Sequence, residues 1–463
     1  MEDLASNPSE KARKSHFRAG VLCVLGCSLA ITVLITQLGG LSLLWGTQVL
    51  YVASYYHHFD SEASIATMYL VFPLAGITFS GGSVLTIYLY HQFGGRKVIA
   101  CSTIGLAICL VVCSYIPDYR LFIVVYAILE GLCCSGIVFP AMYPSWYFFP
   151  TRKGTVTGII MVAYGAGCSL QGLAFTYLMN PDNNLPTISV VTQEEHELLF
   201  DYAVAENYPF AFRMFAVAFL VIGLLGALLI TEPRMSPEER RTLSIQGSQA
   251  AHAADFGHTT ECPNLRTAVS TWTFLCLLLV AMFGYTFDYY LLVQYKTYAA
   301  EYITNDHLLS FIGSISQVGN IAGRLLLSVL VDYLDCRILL FGAPLINAVM
   351  AYTINYAVTS EWMYTLWVTI SLFSFACCLS PTAVVCGKIY GSKTGGTVFS
   401  FIMLGMLFSN LSTIAINSGI QQNYGFDTAF DFMALMALCV SVLALTIKPK
   451  YEWYKDKDPL IPS

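Results

Sequence analysis

Charge is what this chain has least of. Only 11% of its 463 residues are Asp, Glu, Lys or Arg, while 56% are hydrophobic; a soluble globular domain carries about 25% charged residues. So few charges cannot clothe a water-soluble protein of this size. Other things are missing too. No CxxC pair is followed by a second one, so the 15 cysteines offer no zinc spacing. Most of them lie inside apolar runs, such as Cys133–Cys134 and Cys377–Cys378, and not in loops where a disulfide framework would sit. No G-x-x-x-x-G-K-[ST] loop appears, which argues against ATP-driven work. Apart from His57–His58 in a loop, no histidines cluster, and no nucleophile–base pair converges, so an enzyme is not expected. Met1–Gly20 is polar and carries Lys11, Arg13, Lys14 and Arg18, unlike a cleavable signal peptide. The net charge of −6 names no partner class. No cofactor, metal or nucleic-acid partner is expected.

What the chain does have is apolar runs of about 20 residues or more, the length that crosses a hydrocarbon core. Its mean hydropathy is +0.63. Only helices and closed barrels satisfy their backbone in lipid, and these runs lack the period-2 alternation of barrel strands. The expectation is an all-α membrane protein whose lipid-bilayer surroundings replace the missing charge. Spans are predicted at roughly 21–50, 64–90, 96–116, 119–147, 155–179, 209–230, 269–296, 307–332, 336–358, 361–386, 396–419 and 427–447. The first is long enough to bend, and Gly39–Gly40 is the natural place.

The basic residues then sort by side. With the N-terminus in the cytoplasm, nineteen of 23 Lys and Arg fall on the cytoplasmic side. Arg120, Arg213 and Lys296 fall outside, and Arg324 lies within a span. That asymmetry is what the positive-inside rule requires, and one miscounted span would destroy it. The predicted organisation is a cytoplasmic tail (1–20), a six-helix half (21–230), a charged linker (231–268), a second six-helix half (269–447) and a short tail (448–463). Residues 179–209 form an outside loop that is acidic and aromatic. Nothing in the sequence identifies an accessory subunit, and it leaves room for one.

Two short loops recur at corresponding places in the halves. Tyr88-Leu-Tyr-His-Gln-Phe-Gly-Gly-Arg96-Lys97 follows the second span, and Val329-Leu-Val-Asp332-Tyr-Leu-Asp335-Cys-Arg337 follows the eighth. A basic residue there can bond the carbonyl end of a helix, and an Asp can receive it, so that the pair holds the cytoplasmic side shut. Internal repeats of this kind are typical of transporters. The loops resemble G-x-L-x-D-R-x-G-R-[RK] of the major facilitator superfamily. The second copy keeps Asp332 and Arg337, whereas His91 and Gln92 replace the Asp and Arg of the first. Trp146-Tyr-Phe-Phe-Pro-Thr-Arg152-Lys153-Gly154-Thr-Val-Thr-Gly158, with Tyr164-Gly165-Ala-Gly167 beyond it, is similar to the signature of monocarboxylate transporters and oxalate/formate antiporters. Leu38–Gly46, Gly319–Arg324 and Gly387–Lys393 resemble further segments of that group. The resemblance implies a twelve-helix major facilitator fold and transport of a small organic anion by alternating access, coupled to a proton or to exchange. Arg96, Lys97, Arg152, Asp332 and Arg337 are the candidate gating residues. The glycines themselves read first as close helix packing.

Arg324 is the candidate anion-binding group. A cation well inside a span is costly and implies a partner or a watery cavity. Gln317, Asn320 and Arg324 recur at i, i+3 and i+7 on one helix face. A guanidinium forks onto a carboxylate, and the resemblance implies the same role for an Arg at this place. The pattern departs elsewhere: Asn320 stands where proton-coupled relatives have Asp, Thr47 where they have Lys, and 397–414 holds no Lys. Tyr164, Thr47 and Gln48 are candidate cavity side chains. Glu130 and Asp288, the remaining membrane carboxylates, are candidates for coupling; Asp288 reads as near the outer end. An amino-acid carrier of the same fold is the alternative, since the Arg suits an α-carboxylate, and a non-transporting sensor is a further one.

Overall fold

The computed structural model describes residues 8–33, 42–68, 70–182, 184, 186–192, 195–231, 262–300, 302–303 and 306–449. The linker prediction falls mostly on 232–261 and the bend at Gly39–Gly40 on 34–41, outside the described residues, as does most of the C-terminal tail. Among the described residues the chain is helical apart from one hairpin. Eleven helical stretches are long and apolar enough to cross a membrane. The shorter apolar stretch Ser15–Ile31, together with the helix that follows it, takes the place of the first predicted span, giving twelve.

The first half comprises α1 (Pro8–Ile31), α2 (Ser42–His57), α3 (Ile65–Met68), α4 (Val71–Phe93), α5 (Gly95–Cys113), α6 (Tyr119–Phe148), α7 (Lys153–Met179), α8 (Tyr202–Ala205) and α9 (Tyr208–Leu229). The second comprises α10 (Leu265–Val269), α11 (Trp272–Phe283), α12 (Thr286–Ala300), α13 (Asp306–Tyr333), α14 (Cys336–Ala357), α15 (Glu361–Phe375), α16 (Ser380–Ile389), α17 (Ser392–Ile416) and α18 (Gln422–Ala444). α1 begins at Pro8, inside the stretch read as a polar tail, because a helix with lipid on only one end tolerates charges at the other. The outside loop folds as an antiparallel pair, β1 (Ile188–Thr192) and β2 (Glu195–Leu199), with Thr192 opposite Glu195. Its exit is anchored where the Phe200 amide donates to Ser54 Oγ at 2.9 Å and Tyr51 stacks on the Phe200 ring at 4.7 Å.

The exterior is as apolar as the core, unlike that of a soluble protein. Leu173 is 72% exposed and Val217 60%, while Ser83, Thr103, Ser135 and Asn347 are 0% exposed. Apolar side chains face outward to lipid, and within the bundle Ser83, Ser135 and Asn347 are hydrogen-bonded, as the absence of water in a bilayer demands. The two halves meet along two seams, α7 against α13 and α4 against α17. Gly154 makes the first seam possible: a Cβ there would stand 2.0 Å from the Ser328 carbonyl oxygen of α13. A corner with φ of 84° at Gly94 turns α4 directly into α5, a backbone shape that favours glycine.

Candidate functional site

One end of the bundle carries Arg96, Lys97, Arg152, Lys153, Arg337 and Lys388, and there the halves are tied together. α7 starts immediately after a non-helical Arg152, so its first amides have no helical partner. Asp332, in the last turn of α13, fills that gap. Gly154 and Thr155 donate backbone N–H bonds to its two carboxyl oxygens at 2.9 and 2.8 Å, and the Thr155 hydroxyl donates a third bond at 2.9 Å. A carboxylate on the positive end of a helix is doubly favoured, by hydrogen bonds and by the helix dipole. Lys388 Nζ lies 3.8 Å from Asp332 Oδ1. Lys153 reaches the other way, donating to the Gly387 carbonyl at 3.1 Å, and the Trp146 ring packs against Gly387. The second seam closes in the same region: Tyr143 OH donates to the Gly396 carbonyl at 3.1 Å, and His91 Nε2 pairs with Thr397 Oγ1 at 2.9 Å.

The predicted pairing of Asp332 with Arg337 is corrected by this geometry. Arg337 bonds Asp335 two residues before it, Nε at 3.0 Å and Nη2 at 2.7 Å, because Asp335 caps α14 through the Arg337 amide. That bonding holds the Asp335 carboxyl below its ordinary value. Arg337 therefore stays on its own half. Arg96, Lys97 and Arg152 are exposed.

Midway along the first seam lies Arg324, 2% exposed. Its Nε donates to Asn320 Oδ1 at 2.9 Å, one turn earlier on α13, and Asn320 is itself fixed by donating to the Leu372 carbonyl at 2.7 Å. Across the seam its Cζ lies 5.1 Å from the centre of the Tyr164 ring, and Nη1 is 3.9 Å from Met161 Sδ. The guanidinium thus belongs to one half and its aromatic and sulfur neighbours to the other. Gln317 is buried on the same helix beside a cavity of about 10 Å³ with Leu291, Tyr295 and Ser316, room for about one water. Gln48 is buried on α2, and its Oε1 meets no donor among the described residues. Thr47 lies in α2, with its side chain outside the described residues.

Both candidate coupling carboxylates, Glu130 and Asp288, are fully buried. Glu130 accepts from the Cys134 thiol at 3.1 Å. Asp288 is not near a wet outer end, as its sequence position suggested. The seventh span breaks at Gly284–Tyr285, which puts Asp288 in the first turn of α12 and turns it into the second half. The Asn347 amide of α14 donates both to Asp288 Oδ2 and, at 3.2 Å, to the Gly284 carbonyl, while Ser374 of α15 donates to Asn347 Oδ1.

Sequence reasoning overlooked Asn347 and Ser374, which read as unremarked polar residues in apolar runs, and Met161. It also passed over Gly-Thr-Val at 154–156 and again at 396–398, at the starts of α7 and α17. That repeat marks the two helix starts met by Asp332 and His91.

The family sequence model described as Major Facilitator Superfamily matches residues 30–301 and 274–462. Among curated proteins, the chain is 23% identical to apicoplast pyruvate carrier 1 of Toxoplasma gondii, over 96% of this chain and 91% of that one. It is 26% identical to apicoplast pyruvate carrier 2 of the same organism over 39% of this chain and 34% of that one. Among solved structures, the proton:xylose symporter XylE bound to 6-bromo-6-deoxy-D-glucose superposes with a TM-score of 0.65 at 14% identity, covering 95% of this chain and 98% of that one. A double-tryptophan XylE mutant gives the same score over 93% and 94%. At such identity the structural likeness speaks for the fold.

Proposed function

The chain belongs to the major facilitator superfamily, and from that premise we propose that this membrane transporter moves a small organic monoanion of the monocarboxylate class by alternating access. The observation that carries the reading is Arg324: a fully buried guanidinium on α13, placed at the seam between the halves and covered by Tyr164 and Met161 of the opposite half. An anion bound there touches both halves at once. Rocking of the halves can then expose it to either side in turn. Asn320 orients the guanidinium through a neutral carbonyl and brings no negative charge of its own. A guanidinium grips a carboxylate with two parallel bonds, which suits a monocarboxylate. The likeness to apicoplast pyruvate carrier 1 along nearly the whole chain supports the same substrate class.

In this reading both termini are cytoplasmic, as the basic asymmetry requires. The basic end is then the inner end, and the Asp332 clasp on α7 keeps it shut, so this conformation is closed toward the cytoplasm. Opening inward requires Asp332 to leave Gly154 and Thr155. The host is the plasma membrane or an organelle membrane, and the apicoplast relatives support the latter. Uptake by proteoliposomes tests the substrate class, with pyruvate, lactate, neutral amino acids and xylose offered separately. Pyruvate and lactate should enter and compete with each other. Entry of amino acids or xylose with pyruvate excluded would overturn the reading.

A further inference from the structure

Three helices of the second half bring polar groups to one dry point. Asp288 of α12 is 0% exposed, its Oδ2 is met by Asn347 of α14, and Asn347 is met in turn by Ser374 of α15. Oδ1 of Asp288 meets no donor among the described residues. The Asn347 amide also ties the Gly284 carbonyl, freed by the break between α11 and α12. An ionised carboxylate with one neutral donor is a poor tenant for such a place, because burial removes its hydration and the single bond returns little. The first turn of a helix favours negative charge only slightly by comparison. A sodium ion in its stead would need several converging oxygens, whereas here an amide nitrogen fills the space between Asp288 and Gly284. The group that fits is a proton.

We propose that Asp288 is the proton-carrying carboxyl of this transporter, loaded in this inward-closed conformation and unloaded when the break at Gly284–Tyr285 moves α12 away from Asn347. The proposal rests on the monoanion reading, because it ties the proton to the anion. The group bonded to Asp288 is Asn347 on α14, backed by Ser374 on α15, and within electrostatic range stand Cys378 in the turn that follows α15 and Tyr285 and Tyr289 on either side of Asp288 in the chain. Cys378 lies within electrostatic range of both Asp288 and Arg324, so the carboxyl and the guanidinium share one neighbour. In this proposal, the positive field of an empty Arg324 makes Asp288 hold its proton less tightly. An anion on Arg324 cancels that field and favours the acid. Each ligand therefore tightens the other, as reciprocal linkage requires, and anion and proton travel together without net charge.

The test uses purified full-length protein in proteoliposomes with labelled pyruvate and lactate. For wild type, an acid-outside gradient of one pH unit should drive accumulation toward about tenfold, the limit for one proton per monoanion, while an equal sodium gradient should drive none. Asp288→Asn should keep pyruvate exchange measurable while pH-driven accumulation falls to about one. An infrared difference spectrum on adding pyruvate should show a carboxylic-acid C=O band in wild type that is absent from Asp288→Asn; this reads protonation even in a variant that does not transport. Undiminished pH-driven accumulation by Asp288→Asn overturns the proposal, as does accumulation driven by sodium. Exchange by wild type without any response to the pH gradient overturns the proton carrier and leaves the anion site standing. Absence of pyruvate and lactate movement in every mode overturns both. If Asp288→Asn does not fold, the wild-type gradient experiment and its infrared band still decide.

Discussion

Replacing Asp332 by Asn keeps the shape of the clasp on α7 and removes its charge. The variant retains one oxygen, which turned toward Thr155 can still accept its two bonds, and then presents an NH₂ where the other carboxyl oxygen accepted from the Gly154 amide. At least one charge-assisted bond is lost, worth about 1.5–3 kcal/mol, along with the charge at the helix N-terminus, worth about 0.3–1 kcal/mol. Solvent screening discounts little of this, since the Asp332 side chain is only 4% exposed. A net loss of about 2 kcal/mol moves the balance about thirtyfold toward an open basic end. Hydrogen exchange read by mass spectrometry is a direct assay, because the Gly154 and Thr155 amides are the donors. Peptides covering the start of α7 and of α16–α17 should exchange about thirtyfold faster in Asp332→Asn, and those covering the β-hairpin should not change. Unchanged exchange at the α7 start would show that Asp332 does not hold the halves together.

Other outcomes follow from the same geometry. Gly154→Val should cost more than Asp332→Asn, because its Cβ would meet the Ser328 carbonyl at 2.0 Å, where backbone cannot yield; a fluorescence melt in detergent should fall and transport should stop. At Tyr164, Phe should preserve pyruvate affinity and Ala should weaken it about 2- to 30-fold, by loss of a cation–π contact worth about 0.5–2 kcal/mol; equal losses in both variants would assign Tyr164 a hydrogen-bonding role instead. Asp335→Ala should lower stability by about 0.5–1 kcal/mol through the lost cap of α14, with little from the solvent-screened Arg337 pair. Its carboxyl is held below the ordinary range, so this contribution is present above that range and disappears as pH falls through the lowered value. Melts of both proteins from neutral to acid pH would show the difference closing.

Most of the architecture could be read from the sequence because lipid permits so few solutions. Scarce charge and apolar runs set most of the spans within a few residues of their observed ends, the first excepted, and Arg324 was visible as a basic residue well inside a span. What could not be read was direction. Asp332 and Asp335 sit three residues apart, each able to take Arg337; the choice fell to the cap geometry of α14, which leaves Asp332 for a helix start 178 positions away. Asp288 looked peripheral by simple count along its span. The break at Gly284–Tyr285 resets the helix and turns that side chain inward to Asn347, a long-range partner that no local pattern announces. The hairpin in the outside loop was likewise hidden, since its strands interrupt a stretch without clean alternation.

The central claim is that Arg324 holds the transported anion, and titration calorimetry of pyruvate into purified protein tests it most directly. Wild type should bind. Arg324→Ala should lose about 3 kcal/mol or more, over a hundredfold in Kd, with its melt profile in detergent preserved, and Arg324→Lys should recover little, lacking the two-pronged grip. Wild-type affinity for pyruvate in a well-folded Arg324→Ala protein would contradict the account.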